Sequence, residues 1–313
     1  MNDFLWVEKY RPQKVEDCIL PTDVKDTFKS FIEQGEIPNL LLSGTAGVGK
    51  TTIAKALCNE LGVDSYVING SDEGRFLDTV RNQAKTFAAT VSLTSTSRHK
   101  VLIIDEADNT TSDVQLLLRA SIEEFQKNCR FIFTCNFKNK IIEPLHSRTT
   151  VIDFNVRGKT KQTLAAEFFE RCRDILSKEK VRFNDKVVAT VVQQYFPDFR
   201  RVLNELQRYS STGDIDTGIL ATLGDAKIDT LVDALKNKKF NDVKKWVTQN
   251  LDSDPVSIMR KLYDNLSSVM DGPSVAAAVL IIAEYQYKSA FVVDQEINLL
   301  ACLTQLMLEC NFK

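Results

Sequence analysis

Histidine is nearly absent from this 313-residue chain: His99 and His146 are the only two. A histidine-rich metal centre or a Ser-His-Asp triad has little material to build on, which removes metallohydrolase and serine hydrolase chemistry. Long apolar runs are missing as well. The longest, Val275 to Ala283, is nine residues, against the roughly 20 that cross a bilayer, so no membrane partner is expected. The start, Met1-Asn2-Asp3-Phe4, lacks the basic flank and apolar stretch of a secretory signal, and the expectation is a cytoplasmic protein. The seven cysteines are odd in number and none forms a Cys-x-x-Cys pair. Several, such as Cys58, Cys135 and Cys302, lie within apolar stretches, the pattern of reduced core thiols. Excess charge is lacking too: the net charge of −2 means that a nucleic-acid partner has to be held by a local basic surface.

What remains is an ordinary globular composition, 43% hydrophobic and 26% charged, at a length that favours more than one domain. Up to about residue 155, apolar β-branched segments alternate with amphipathic ones, the pattern of a parallel sheet covered by helices. Asn39–Ser43, Ser65–Asn69, Lys100–Asp105, Arg130–Cys135 and Thr150–Phe154 read as strands, with helices over Thr51–Leu61 and Asp113–Phe125. Ser92–Ser97 is almost all Ser and Thr and reads as an exposed loop. Beyond about residue 157 helical periodicity takes over, with a helix over Asp198–Ser210 after Pro197 and a break at Gly213 and Gly218. The last ~90 residues read as helices with broad apolar faces. The expected domains are therefore 1–156, 157–220 and 221–313.

Gly44-Thr-Ala-Gly47-Val48-Gly49-Lys50-Thr51-Thr52 contains a complete G-x-x-x-x-G-K-[ST] motif, directly after an apolar run and at the start of an amphipathic helix. Glycines there let successive N–H groups point inward at phosphate oxygens, and the following helix adds the positive end of its dipole. Lys50 then meets the β- and γ-phosphates, and the Thr51 hydroxyl ligates Mg²⁺. About 55 residues downstream, Val101-Leu-Ile-Ile-Asp105-Glu106 is an apolar strand ending in two carboxylates. Asp105 suits the Mg²⁺ shell, directly or through water, and Glu106 suits polarisation of an attacking water. Asn136, just after another apolar strand, can orient that water. Arg148 and Arg200 are each placed to stabilise transition-state phosphate charge.

These residues resemble the AAA+ ATPases of the clamp-loader group, the replication factor C type, and within it the T4-type bacteriophage branch. The resemblance covers the whole chain. It is carried by Trp6-Val-Glu-Lys-Tyr10-Arg-Pro12, the P-loop, Asn69-Gly-Ser-Asp72, Ile104-Asp-Glu-Ala-Asp108, Gln115-Leu-Leu-Leu-Arg119, Thr134-Cys-Asn136, Pro144-Leu-His-Ser-Arg148 and Phe199-Arg-Arg-Val-Leu-Asn-Glu-Leu206.

The resemblance implies an α/β fold: a P-loop AAA+ parallel sheet with helices on both faces, then a small helical lid and an all-helical C-terminal collar. It implies ATP and Mg²⁺ as cofactors. Asn136 is then the first sensor, Arg200 the second sensor in the lid, and Arg148 an arginine finger reaching a neighbouring subunit's ATP. Val7, Glu8, Lys9, Tyr10 and Ile19 line the adenine pocket by the same analogy. The implied partners are further copies of the chain, a smaller clamp-loader subunit, the sliding clamp and primer-template DNA. Phe87, Val91 and Leu93 are candidate clamp anchors, although Phe87 and Val91 at i, i+4 suit core packing equally. Arg75, Arg81, Lys85 and the Thr110-Thr111-Ser112 region are candidate DNA contacts. One departure is Thr149, where the family pattern following Ser147-Arg148 has cysteine. Two other classes use a P-loop: different AAA+ remodelling or DNA-processing motors, and small-molecule kinases. The Glu-Lys-Tyr-Arg-Pro opening argues against the former, and the Glu106 hydrolytic base against the latter.

Overall fold

The computed structural model describes residues 4–71, 85–90, 99–156, 158–216, 228–250 and 255–313. The chain divides into two compact units, Met1–Leu220 and Ala221–Lys313.

Five strands form the sheet of the first unit: β1 (Leu40–Ser43), β2 (Ser65–Asn69), β3 (Lys100–Asp105), β4 (Cys129–Cys135) and β5 (Thr150–Asp153). Their order is β2-β3-β4-β1-β5 and every pairing is parallel. Parallel sheets need crossover helices on their faces, so central strands are buried on both sides and read as unbroken apolar runs. Leu40, Leu41 and Leu42 illustrate this: all are buried, but alternate residues serve opposite cores. Leu40 and Leu42 join Ile103, Ile132, Phe28 and Leu57 on one face. Leu41 joins Leu102, Ile104, Phe131, Phe133 and Leu118 on the other. At roughly 2 kcal/mol for each large side chain buried, these two layers hold the ends of the strands in place.

Among the described residues the α-helices of this part are α1 (Trp6–Lys9), α2 (Thr22–Gln34), α3 (Lys50–Glu60), α4 (Lys85–Ala89), α5 (Ser112–Glu124) and α6 (Glu143–His146). The bounds expected from sequence for α3 and α5 fall one residue from these. Helix α2 stops at Gly35, whose φ of 68° is a left-handed end that glycine supplies without strain. On α4, Phe87 is half-buried, meets Tyr66 in a tilted ring contact with centroids 5.7 Å apart, and packs against the core. Its structural setting is that of a core residue. Arg75, Arg81, Val91, Leu93 and the Ser92–Ser97 segment lie outside the described residues.

The lid segment follows within the same unit, with three helices among its described residues: α7 (Gly158–Lys178), α8 (Asp185–Tyr195) and α9 (Phe199–Thr212). Leu164, Phe168, Cys172 and Ile175 recur at helical spacing and form the buried stripe of α7. The side chains of Asn184 and Asp198 cap α8 and α9 by accepting from Lys186 N and Arg201 N.

The second unit is helical throughout its described part: α10 (Ile228–Lys236), α11 (Phe240–Gln249), α12 (Pro255–Val269), α13 (Gly272–Ser289) and α14 (Gln295–Glu309). Leu231, Leu235, Trp246, Met259, Leu262, Ile281, Cys302 and Leu306 share one core. Leu280, Tyr287, Phe291, Val293 and Ile297 stay exposed. Among the described residues, no helix is long and apolar enough to cross a membrane.

Candidate active site

The loop from Gly44 to Gly49 leaves β1 and folds back over its own end before α3 begins. Gly47 and Gly49 take φ of 75° and 91°, a region closed to most side chains. Space is restricted as well as torsion. A Cβ on Gly47 would stand 1.8 Å from Asp198 Oδ1, and one on Gly44 would stand 2.9 Å from Phe154 Cβ.

Lys50 opens α3 and is 8% exposed. Its Nζ donates to Gly44 O at 2.7 Å, Thr45 O at 2.8 Å and Asn136 Oδ1 at 2.9 Å. Burial pushes the ammonium pKa down, Arg200 adds to that push, and the carboxylates of Asp105 and Asp108 oppose it. Three acceptors within reach keep this buried cation satisfied.

The adjacent Thr51 hydroxyl donates to Asp105 Oδ1 at 2.6 Å, and so does Thr134 Oγ1, also at 2.6 Å. Thr134 Oγ1 in turn accepts the Glu106 N–H at 3.0 Å. One hydroxyl thus bridges both acidic residues. Glu106 sits in the left-handed region at φ 54°, a conformation that costs a non-glycine residue about 1 kcal/mol. This strained turn puts its carboxylate at the cavity, where Oε2 accepts from the Ser71 hydroxyl and from Asn109 Nδ2.

These groups line a cavity of about 300 Å³. Its lining combines the polar groups of Lys50, Thr51, Asp105, Glu106 and Asn136 with the apolar side chains of Val7, Ile19 and Leu20 and the ring of Tyr10. The lid adds Phe168, Arg171, Ile175, Phe199, Arg200 and Leu203. The arrangement is that of a nucleotide pocket, with apolar groups for a base and polar groups for phosphates.

Most residues singled out from sequence therefore meet at one place: Val7, Tyr10, Ile19, Gly47, Val48, Gly49, Lys50, Thr51, Thr52, Asp105, Glu106, Asn136 and Arg200 all line this cavity. Four do not. Gly44 contributes through its backbone oxygen to Lys50. Glu8 pairs with Arg11, and Lys9 with Glu179 of the lid, so both side chains turn to the rim. Arg148 lies elsewhere, its Nε at 2.9 Å and Nη2 at 2.6 Å from Glu123 Oε1, with Nη1 at 2.9 Å from Pro144 O. That guanidinium holds the Glu123 carboxyl below its ordinary range.

Sequence reasoning missed the lid wall. The buried stripe of α7 marks Phe168 and Ile175 as apolar, but only the docking of α7 and α9 against the P-loop reveals that Phe168, Arg171, Ile175 and Leu203 share the cavity. Thr134 and Ser71 were also missed as side-chain partners of the acidic pair. Both lie in motifs that carry the family resemblance, Asn69-Gly-Ser-Asp72 and Thr134-Cys-Asn136, but those motifs do not say what the hydroxyls touch.

Two family models match the chain: the ATPase family associated with various cellular activities (AAA) over residues 40–156, and the AAA+ ATPase lid domain of the sliding-clamp-loader large subunit over residues 160–221. The sliding-clamp-loader large subunit of Escherichia phage RB69 is 34% identical over 312 residues, covering 98% of this chain and 96% of the relative. That of Enterobacteria phage T4 is 35% identical with the same coverage. A replication factor C small subunit from Saccharolobus solfataricus is 31% identical over 328 residues, covering 99% of this chain and 96% of the relative. Among solved structures, a Thermotoga maritima RuvB mutant superposes with a TM-score of 0.54 at 21% identity, covering 68% of this chain and 72% of that one, a likeness of fold alone. The chain belongs to the sliding-clamp-loader large-subunit family of AAA ATPases.

Proposed function

We propose that this chain is the motor subunit of a sliding-clamp loader. ATP binding opens the ring-shaped polymerase clamp, and hydrolysis releases the clamp on primer-template DNA. The observation that carries the reading is the convergence of Lys50, Thr51, Asp105, Glu106, Asn136 and Arg200 on one cavity while Arg148 stands outside it. Such a site binds ATP by itself and lacks a finger until a second subunit provides one.

Lys50 holds the β- and γ-phosphates, exchanging the Gly44 and Thr45 carbonyls and the Asn136 amide oxygen for phosphate oxygens. Mg²⁺ fits the donor set, since the Thr51 hydroxyl and the Asp105 carboxylate are adjacent hard oxygens. Among the described residues there is no cluster of three His, Cys, Asp or Glu that could hold a metal ion; Mg²⁺ needs only one or two protein ligands beside phosphate and water. When bound, Mg²⁺ supplies charge that neutralises the γ-phosphate during transfer. Glu106 takes the proton of the attacking water at Oε1, because Oε2 is already engaged by Ser71 and Asn109. Asn136 orients that water, Arg200 binds the phosphates from the lid, and Arg148 completes the site of a neighbour.

The partners follow from the same reading: further copies of this chain, a smaller clamp-loader subunit, the clamp and primer-template DNA, in the cytoplasm. The helical unit Ala221–Lys313 serves as the collar, and the exposed Leu280, Tyr287 and Phe291 are its assembly contacts. The test is release of free phosphate from ATP without any phosphoryl acceptor, measured on the assembled complex with and without clamp and primed DNA. Stimulation by the pair is expected. Turnover that needs a small-molecule acceptor, or that ignores clamp and DNA, overturns the reading.

A further inference from the structure

Asp108 is 5% exposed and stands in the short turn Ala107–Asn109 that follows Glu106. Its Oδ2 accepts two successive peptide N–H groups, Asn136 N at 3.1 Å and Phe137 N at 3.0 Å. Its Oδ1 is buried with no hydrogen-bond partner among the described residues. Burying a carboxylate with one oxygen unpaired is costly. A turn that only needed an acceptor would be served by Ser, Thr or Asn, which carry no charge. The gain from a carboxylate is strength, since hydrogen bonds to a charged acceptor are roughly twice as strong as neutral ones.

That strength is spent at one spot. The two N–H groups belong to the peptide units on either side of the Asn136 Cα, so holding both fixes the direction in which the Asn136 side chain leaves β4. The Asn136 side chain reaches Lys50 Nζ at 2.9 Å. On the other side of Cys135, Thr134 ties β4 back to Asp105 and to the Glu106 N–H. The end of β4 is therefore clasped to the end of β3 on both sides of the residue that precedes Asn136, and Asp108 is the outer clasp.

We propose that Asp108 is a positioning residue for hydrolysis: it acts through Asn136 by fixing the backbone that aims the Asn136 amide into the phosphate end of the cavity. The proposal rests on the reading of Asn136 as the residue that orients the attacking water. Asp108→Asn keeps the shape and removes the charge, which loosens the aim without emptying the site.

The experiment measures kcat, KM and ATP affinity in the assembled complex with clamp and primed DNA, for the wild type, Asp108→Asn, Asn136→Ala and the double variant. Asp108→Asn is expected to keep ATP affinity within about twofold and to lower kcat by about tenfold or more, the signature of an interaction used only in the transition state. In the Asn136→Ala background the same substitution is expected to change kcat by less than about twofold, because residues acting through one another do not add. A full, additive loss in both backgrounds, or a loss of affinity at unchanged kcat, overturns the proposal. If Asn136→Ala alone leaves kcat intact, the reading of Asn136 falls and this proposal with it. If Asn136→Ala slows turnover and Asp108→Asn does not, only the role of Asp108 falls. Should Asp108→Asn fail to fold, Asp108→Ser, which still offers one acceptor, carries the same cycle with the same outcomes.

Discussion

The Phe199 N–H donates to the Gly47 carbonyl oxygen at 3.1 Å, joining the first residue of a lid helix to the middle of the phosphate loop. Asp198, one residue earlier, fills the space where a Cβ on Gly47 would stand. Lid and loop are thus fitted to each other at a residue with no side chain. Gly47→Ala is expected to cost more than the roughly 1 kcal/mol of its left-handed φ, because the lid must also move. ATP affinity should fall by about tenfold or more, with a lower melting temperature, as read by nucleotide titration and a thermal melt. Unchanged affinity would mean that the lid contact has no bearing on binding.

Lys50→Ala and Glu106→Gln should fail in different ways. The first removes the cation at the β- and γ-phosphates and is expected to abolish tight ATP binding. The second keeps the shape of the acidic turn and loses the base, so ATP still binds while turnover drops by about 10²–10⁴. Equilibrium binding alongside phosphate release separates the two. A Glu106→Gln protein that turns over at the normal rate removes Glu106 from the mechanism.

Arg148 is paired with Glu123 of its own chain and lies off the cavity. An Arg148→Ala complex is expected to bind ATP and hydrolyse it about 10³-fold more slowly, the loss seen when an arginine finger is removed. Mixing Arg148→Ala with Lys50→Ala before assembly pairs some intact P-loops with intact fingers. Those interfaces should regain clamp- and DNA-stimulated turnover above either variant alone. If mixed complexes form and nothing returns, Arg148 does not act across an interface.

His99 is buried, and its Nε2 accepts the Ile37 N–H at 3.3 Å. Burial lowers its pKa and Arg130 lowers it further, with Glu36 opposing. The folded chain therefore binds this proton less readily than the unfolded chain. The contribution is present in full above the ordinary value near 6.5 and is lost as pH falls from there through the folded value. Urea unfolding at pH 7.5 and 5.5 should show a larger loss of stability for the wild type than for His99→Gln. An equal loss in both would assign the acid sensitivity to other groups.

How far the sequence speaks depends on whether a residue's partner is close in the chain. The P-loop was legible because Gly44, Gly49, Lys50 and Thr51 form their cradle within eight residues, and Asp105 and Glu106 because an apolar strand can end in only one place. The strands were legible because parallel burial writes continuous apolar runs such as Leu40-Leu41-Leu42. Arg171 and Leu203 were not legible, since helical periodicity says which face of α7 or α9 is buried and not what lies against it. Lys9 and Glu8 show the converse. A motif carried them toward the cavity, but Glu179 and Arg11 are nearer and of opposite charge. The pairing of Asp108 with Asn136 and Phe137 spans 28 and 29 residues and involves backbone donors, which every sequence possesses alike.

Strand β4 lies between β1 and β3, although it is made after both. The phosphate loop hangs from β1 and the acidic pair from β3, so two strand spacings of about 4.8 Å separate them, with the tip of β4 in the gap. During synthesis, a nascent chain that has emerged as far as Asn109 already carries both motifs and yet has no site. Its two halves lack the strand that sets their distance, and Lys50 lacks Asn136. The phosphate end of the pocket therefore depends on the strand made last of the three, whose tip brings Asn136 to Lys50.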